Sequence, residues 1–413
     1  MFKRAFFPLL ILGCGAAVIL WTLQSPLWQA LRQISGIMRL VHEEYVDVDA
    51  VSYEALVTSA IRGMVESLDP YSRYMSAEDF SRFERSTRQN YVGIGIEIER
   101  FDLRVTVITA FPDGPADKAG IRPGDQITAI DNRSMLDATV IEVSDALQGP
   151  EGGEATVKVF RPSTDEEHVF TLIRRSVNLA SVNDVRLDAG KVGYLRISQF
   201  GERTHEEFQQ ALDRLEAQGM QALIIDLRNN PGGLLSASKD VASEFFDPGE
   251  LIVFTQGRDP TTRTEFRSDG PARPVKYPLV VLINERSASG AEIVAGALQD
   301  GGKAHVIGEK SYGKGSVQSV YAFRNGAGLR QTTALYYLPS GRSIHEKGIE
   351  PDLTVEMSEE EERRLRLQSR HRDYLSREDF ERVFEHAPDQ DDLQLDMAIE
   401  YLRQLLDEPV VRS

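Results

Sequence analysis

The residues with the most chemical potential in this chain are two serines, a lysine and a glutamine. Ser287 and Ser289 lie in VLINERSASGAEIVAGALQDGG, and Lys314 and Gln318 in SYGKGSVQSVYAF. The first stretch runs an apolar strand into a turn and then a helix, which puts both serines where a helix begins. A serine there ordinarily acts as a cap, its oxygen accepting one orphan backbone N–H. The lysine widens the chemistry. Lys314 stands between two glycines, and the residues after it alternate as a strand does; an extended backbone would turn Lys314 and Gln318 to one face. A phosphate loop is excluded, because Gly315 follows Lys314 where GxxxxGK[ST] requires serine or threonine. A lysine held in an apolar cleft can instead lose its proton near neutral pH and act as general base to a serine hydroxyl. Gln318 would then orient the amine, as a third residue orients the base of other triads.

Composition excludes several other chemistries. Forty-seven basic against 64 acidic residues give a net charge of -17, with no dense Lys/Arg block to track phosphates, so nucleic acid is not an expected partner. A single cysteine, Cys14, rules out an internal disulfide framework and a cysteine metal site. The seven histidines never fall at i and i+4, which disfavours a zinc hydrolase. No metal or organic cofactor is expected.

The elements that must position these side chains follow in order. Residues 1–28 carry Lys3 and Arg4 ahead of an apolar run from Ala5 to Leu23. At about 1.5 Å per residue that run approaches the roughly 30 Å hydrocarbon thickness of a bilayer. The basic residues before it keep the N-terminus in the cytoplasm and place the rest outside. The expectation is an uncleaved anchor; a removed signal peptide and lipidation at Cys14 in ILGC are the alternatives. Residues 29–90 read as helical, a structural collar, with Asp69-Pro70 closing one helix and Ser76 to Asp79 opening another. Residues 91–177 change to short strands with two short helices, PADKAG and VIEVSDALQ. Residues 178–356 alternate strands and helices, an α/β pattern in which ligands sit at the carboxyl ends of strands. Both NNPGG, 229–233, and RSASG, 286–290, lie at such ends. Residues 357–413 form a charged helical extension ending in the amphipathic LQLDMAIEYLRQLL.

Two resemblances rest on these residues. Val92-Gly93-Ile94-Gly95-Ile96 resembles the carboxylate-binding loop of PDZ domains, and AGIRPGD resembles their signature before a central strand. Glycines at 93 and 95 fit a nest of inward backbone N–H groups, and the next strand could add an incoming peptide as a further strand. The order Ser289, Lys314, Gln318 behind such a domain resembles the carboxyl-terminal processing proteases, the tail-specific peptidases of the S41 type. Their Ser-Ala-Ser-Ala-Ser-Glu appears here as Ser287-Ala288-Ser289-Gly290-Ala291-Glu292, and aligning on Glu292 makes Ser289 the nucleophile. Gly290 and Ala291 depart from the motif. LDPYSRYM, IIDLRNNPGG and TTALYYLPSGRSIHEKGIEPD extend the resemblance over residues 32–355.

The resemblance implies a ClpP/crotonase-like α/β serine peptidase core with an inserted β-rich PDZ domain and helical N- and C-terminal regions. It implies an endopeptidase that takes protein C-termini on the PDZ domain and cuts near the tail with a Ser–Lys dyad, Ser289 and Lys314, oriented by Gln318. Gly290 and either Gly232 or Gly233 are the oxyanion candidates; Ser287 remains structural, and Glu292 fixes the nucleophile's helix. Asp226 and Arg228 read as a structural ion pair, and Arg161 as a link between the PDZ domain and the core. The expected setting is the bacterial cell envelope, anchored in the inner membrane with the catalytic part in the periplasm. The expected partners are protein or peptide substrates and the membrane. Homo-oligomer formation and an activating protein are left open. Two other classes compete: a catalytically inactive membrane-tethered PDZ adaptor, and a crotonase-type acyl-thioester enzyme, which an exported location disfavours.

Overall fold

The computed structural model describes residues 25–87, 92–101, 104–111, 113–176, 180–188, 191–270, 277–362, 364–365 and 391–407. The apolar run 5–23 and Cys14 lie outside them, and no helix among the described residues is long and apolar enough to cross a membrane. The chain divides into two compact units: residues up to 80 with 318–332, and residues 81–317 with 333–413.

In the first unit, helices α1 (Pro26–Glu44) and α2 (Tyr53–Glu66) begin at Ser25 and Ser52, whose hydroxyls accept the amides of Trp28 and Ala55. The chain then turns on Asp69, whose carboxylate accepts the Tyr71 and Ser72 amides and the Ser72 hydroxyl, each at 2.8 Å. Strand β1 (Arg73–Met75) follows, and then helix α3 (Ala77–Thr87), opened as expected by reciprocal bonds between Ser76 and Asp79 and passing at residue 81 into the second unit. β1 pairs antiparallel with residues 328–330. Helix α1 buries none of its residues; Leu27 and Leu40 are 67% and 62% exposed.

In the second unit, the PDZ segment contains strands β2 (Val92–Gly93), β3 (Ile96–Phe101) and β4 (Arg104–Ala110), helix α4 (Pro115–Ala119), and strands β5 (Gln126–Ile130) and β6 (Arg133–Ser134). Helix α5 (Val140–Leu147) and strands β7 (Glu154–Arg161), β8 (Glu166–Ile173) and β9 (Arg175–Ser176) complete it. The sheet runs β3-β4-β5-β7-β8, and β2 pairs with β9. β7 shows why the sequence folds so: Ala155, Val157 and Val159 alternate inward onto Val107, Ile127, Val143 and Leu147.

Arg161, read from the sequence as a link to the core, points instead into the PDZ domain. Its guanidinium forks onto the fully buried Asp125 carboxylate at 2.7 and 2.8 Å and donates to the Gly120 carbonyl at 2.9 Å. Asp125 also accepts the Arg122 amide, so the pair pins the AGIRPGD turn. Arg161→Met strands that carboxylate, a loss of about 3–5 kcal/mol. Urea denaturation monitored on the PDZ domain should show it; an unchanged midpoint would contradict the pinning role.

The remaining elements are strands β10 (Val182–Leu187) and β11 (Val192–Ile197), helix α6 (Thr204–Ala217), β12 (Ala222–Asp226), helix α7 (Leu235–Ser243), β13 (Leu251–Gly257), β14 (Thr264–Arg267) and β15 (Leu279–Ile283). Helix α8 (Gly290–Asp300), β16 (His305–Gly308), β17 (Ser316–Ala322), β18 (Gly328–Tyr337), β19 (Leu353–Thr354) and helix α9 (Leu393–Asp407) follow. The central sheet is β10-β11-β12-β15-β16-β19, parallel from β11 onward. β12 and β15 are buried along their whole length, as strands covered on both faces must be. Residues of α6, α7 and α8, such as Phe208, Val241 and Val294, cover one face. The other face is covered by Leu395, Ala398 and Leu402 of α9. Helix α9, at the end of the C-terminal extension, therefore closes the peptidase core.

Candidate active site

The candidate site is built at the carboxyl ends of β12 and β15. β15 runs out into Asn284-Glu285-Arg286 and reaches α8 through Ser287, Ala288 and Ser289. The two serines differ sharply. Ser287 is fully buried; its hydroxyl donates to the Leu227 carbonyl at 2.8 Å and accepts the Asn284 amide at 3.0 Å. Ser289 stands at the helix start with φ 55° and ψ -112°, a backbone conformation a side-chain-bearing residue rarely adopts. Such strain costs on the order of 1–3 kcal/mol and persists only where neighbours enforce it.

Glu292, one turn into α8 and fully buried, enforces it. One carboxylate oxygen accepts the Ser289 amide at 2.7 Å and the Lys314 amide at 2.9 Å. The other accepts the Ser311 hydroxyl and the Gly313 amide, both at 2.6 Å. One side chain thus joins the backbone of the serine turn to the backbone of the lysine loop. Burial pushes the Glu292 carboxyl above its ordinary value, against the pull of these four donors.

The lysine loop is gripped from its other side by residues 344–349. The Glu346 amide donates to the Gly313 carbonyl at 2.9 Å, and the Ile349 amide to the Ser311 hydroxyl at 2.6 Å. Gly313 has φ 90°, and a methyl on Gly315 would overlap the His345 backbone. Neither position tolerates a side chain. Strand β17 begins only at Ser316, so alternation does not by itself turn Lys314 and Gln318 to one face. Lys314 is half-buried in the second unit; Gln318 belongs to the first, where its amide donates to the Thr332 hydroxyl at 3.3 Å.

The glycine turn lies against the serine. A methyl built on Gly232, itself at φ 95°, would come 2.7 Å from the Ser289 Cβ, the Gly290 nitrogen and the Ala288 carbonyl. The two candidate glycines of the turn are not equivalent. The Gly232 amide donates to Asn230 Oδ1 at 2.8 Å, whereas the Gly233 and Gly290 amides have no acceptor among the described residues. A methyl on Gly290 would come 3.4 Å from the Gly233 nitrogen, so the two amides are neighbours.

Sequence reasoning missed Asn230, which organises this junction. Besides holding Gly232, it donates to the Ile197 carbonyl at 2.7 Å, and its own carbonyl accepts the Ala288 amide at 2.9 Å. The signal was present, since Asn before Pro-Gly is turn chemistry that folds its side chain onto the backbone two residues on. Asp226 and Arg228 form the expected ion pair, with contacts of 2.6 to 3.1 Å.

In the PDZ segment, Val92 and Gly93 form β2, Ile96 opens β3, and Ile94 and Gly95 bridge them. The Ile94 and Gly95 carbonyls accept the Ala116 and Phe111 amides, each at 2.9 Å, and Gly95 has φ 77°. Both carbonyls are thereby tied back to the α4 side. Among the described residues, no group of three or more His, Cys, Asp or Glu could hold a metal ion.

Comparison with known proteins gives three family matches: Peptidase family S41 over residues 191–355, a PDZ domain over 107–161, and the activating protease CtpB N-terminal domain over 22–79. The chain is 38% identical over 333 residues to a carboxy-terminal-processing protease of Bartonella bacilliformis, covering 80% of this chain and 76% of that protein. It is 32% identical over 330 residues to the carboxy-terminal processing protease CtpB of Bacillus subtilis, covering 79% and 68%. Among solved structures, an S41 protease from Bacteroides fragilis superposes with a TM-score of 0.51 at 16% identity, over 89% of this chain and 97% of that one, a likeness of fold.

Proposed function

The chain belongs to peptidase family S41 and is a carboxy-terminal processing serine protease with a PDZ domain; we propose that it cuts with Ser289 as nucleophile, Lys314 as base and Gln318 orienting the amine. The observation that carries this reading is the Glu292 carboxylate bonded to the amides of both Ser289 and Lys314. It holds the backbones of the two proposed partners against one oxygen.

Neutral Lys314 takes the Ser289 hydroxyl proton as Oγ attacks the scissile carbonyl. The oxyanion forms beside the Gly290 and Gly233 amides, which have no acceptor among the described residues. Lys314 then returns the proton to the leaving amine, and an acyl-serine remains. Water, deprotonated by Lys314, attacks the ester, and the proton goes back to Ser289 as the acid product leaves. No step needs a metal or a thiol.

Residues Val92 to Ile96 would receive the terminal carboxylate of a substrate, and β3 its last residues as an added strand. The exposed apolar residues of α1, Leu27 and Leu40 among them, support assembly of copies of the chain. The apolar run 5–23 supports an inner-membrane anchor with the peptidase in the periplasm of a bacterial envelope.

The test is digestion of an unfolded, apolar-tailed substrate whose C-terminus is either a free carboxylate or an amide, with the fragments read by mass spectrometry. The expected result is cutting near the tail that resists chelators and thiol reagents, rises as Lys314 deprotonates, and slows about tenfold or more on the amide. Equal rates on both tails would sink the carboxylate reading. Binding of both without cutting would favour an inactive adaptor or an enzyme awaiting its activator.

A further inference from the structure

Arg228 follows β12 and stands one residue before the glycine turn. Its guanidinium is shared between two carboxylates far apart in sequence. One is Asp226; the other is Asp392, which accepts two bonds at 2.7 and 2.8 Å. Gln394 adds a third contact at 3.1 Å from the same tail. Asp392 also accepts the Leu395 amide at 3.1 Å, so the side chain that grips Arg228 is the one that opens helix α9. Gln394 donates to the Val355 carbonyl at 2.8 Å.

From Arg228 to the proposed oxyanion donor there is no slack. The Asn229 amide donates to Asn284 at 2.8 Å, the Asn230 carbonyl accepts Ala288, and Asn230 Oδ1 holds the Gly232 amide. Each bond ties one residue of the turn either to the serine segment or to the turn itself. A planar guanidinium clamped by two carboxylates fixes direction as well as place. Buried ion pairs of this kind do little for net stability and more for geometry.

We propose that Asp392 is a positioning residue for the peptidase reaction: docking of the C-terminal helix, through Arg228, holds the 229–233 turn so that the Gly233 amide meets the oxyanion. This rests on the assignment of Ser289 and Gly233 above. The tail is then part of the catalytic apparatus, although Asp392 touches no substrate. Loss of its carboxylate lets Arg228 shift with Asp226, and the turn with it.

The test uses the full-length protein in mild detergent and compares Asp392→Asn with Tyr401→Ala and Ser289→Ala. Tyr401 stacks on His305 at 4.5 Å, about two turns further along the same helix, so its loss loosens α9 without touching Arg228. Asp392→Asn should lower kcat about 10- to 100-fold, the scale of a small misplacement of catalytic groups, with KM within twofold of the parent. Asp392→Glu should recover part of that kcat. Tyr401→Ala should lower Tm with kcat unchanged. Unchanged kcat in Asp392→Asn overturns the proposal, as does an equal kcat loss in Tyr401→Ala at matched Tm. If Asp392→Asn does not fold, Gln394→Leu, which removes one of the three tail contacts, decides the same way through kcat against KM. Ser289→Ala separates the two levels: parental turnover in that variant defeats the site assignment itself, whereas a dead Ser289→Ala beside a fully active Asp392→Asn defeats only the tail.

Discussion

Ser289→Ala should lower kcat by about 10⁴-fold or more, Lys314→Ala should lower it by a similar factor, and the double variant should be no slower than either single one. Groups that act as one unit fail together, because a nucleophile without its base and a base without its nucleophile are equally idle. The residual rate belongs to substrate binding and to the oxyanion donors, which neither substitution removes. The informative contrast is Ser287→Ala. That side chain accepts the Asn284 amide and donates to the Leu227 carbonyl inside the protein, so its loss leaves two buried groups unpaired, each about 1–3 kcal/mol. Ser287→Ala should therefore lose Tm while its folded fraction keeps most of its kcat. Single-turnover cleavage with parallel thermal melts measures both quantities. An active Ser289→Ala with an inactive but folded Ser287→Ala would reverse the assignment of the two serines.

What could be read from the sequence follows from how local each signal is. The helix start at Ser76, the helix end at Asp69-Pro70 and the strands of the PDZ segment depend on neighbours a few residues away, and periodicity with capping chemistry exposes them; the caps at Ser25 and Ser52 were not singled out. The Ser289–Lys314–Gln318 order came through a resemblance of motif and spacing, with no geometry behind it. Long-range partners were out of reach. The uninterrupted apolar runs of β12 and β15 announce a sheet covered on both faces, yet nothing in LQLDMAIEYLRQLL says that this helix, 164 residues beyond Arg228 in the case of its opening Asp392, is the second cover. Arg161 was misread for the same reason: a lone arginine before a turn looks exposed until the strand fold brings it to Asp125. Asn230 shows the middle case, with turn chemistry visible and its contact to Ala288 invisible.

Glu292→Gln carries the second large effect and separates activity from stability. The carboxylate offers two oxygens to four donors, and an amide keeps only one of them as an acceptor. Two donors lose their partner, each about 1–3 kcal/mol, whichever way the amide is turned. If the amide nitrogen faces Ser289 and Lys314, both catalytic backbones move, and kcat should fall about 100-fold or more. Protonation does a milder version of the same thing. Burial raises the Glu292 pKa above its ordinary 4.5, so the folded protein takes up this proton before the unfolded chain does. The linkage sign follows. As pH falls through the raised value, proton uptake by Glu292 favours the folded state, and that contribution is absent at higher pH. Activity moves the opposite way, because the protonated oxygen is a poorer acceptor for the amides that hold Ser289 and Lys314. The proposed general base would give log kcat/KM a slope of one on the acid side, and Glu292 should steepen the slope toward two at lower pH, while still above 4.5. In Glu292→Gln the slope should stay at one. A parental profile of slope one down to 4.5, with the fold intact by melting, would show that the carboxylate's charge does not hold the two catalytic segments together.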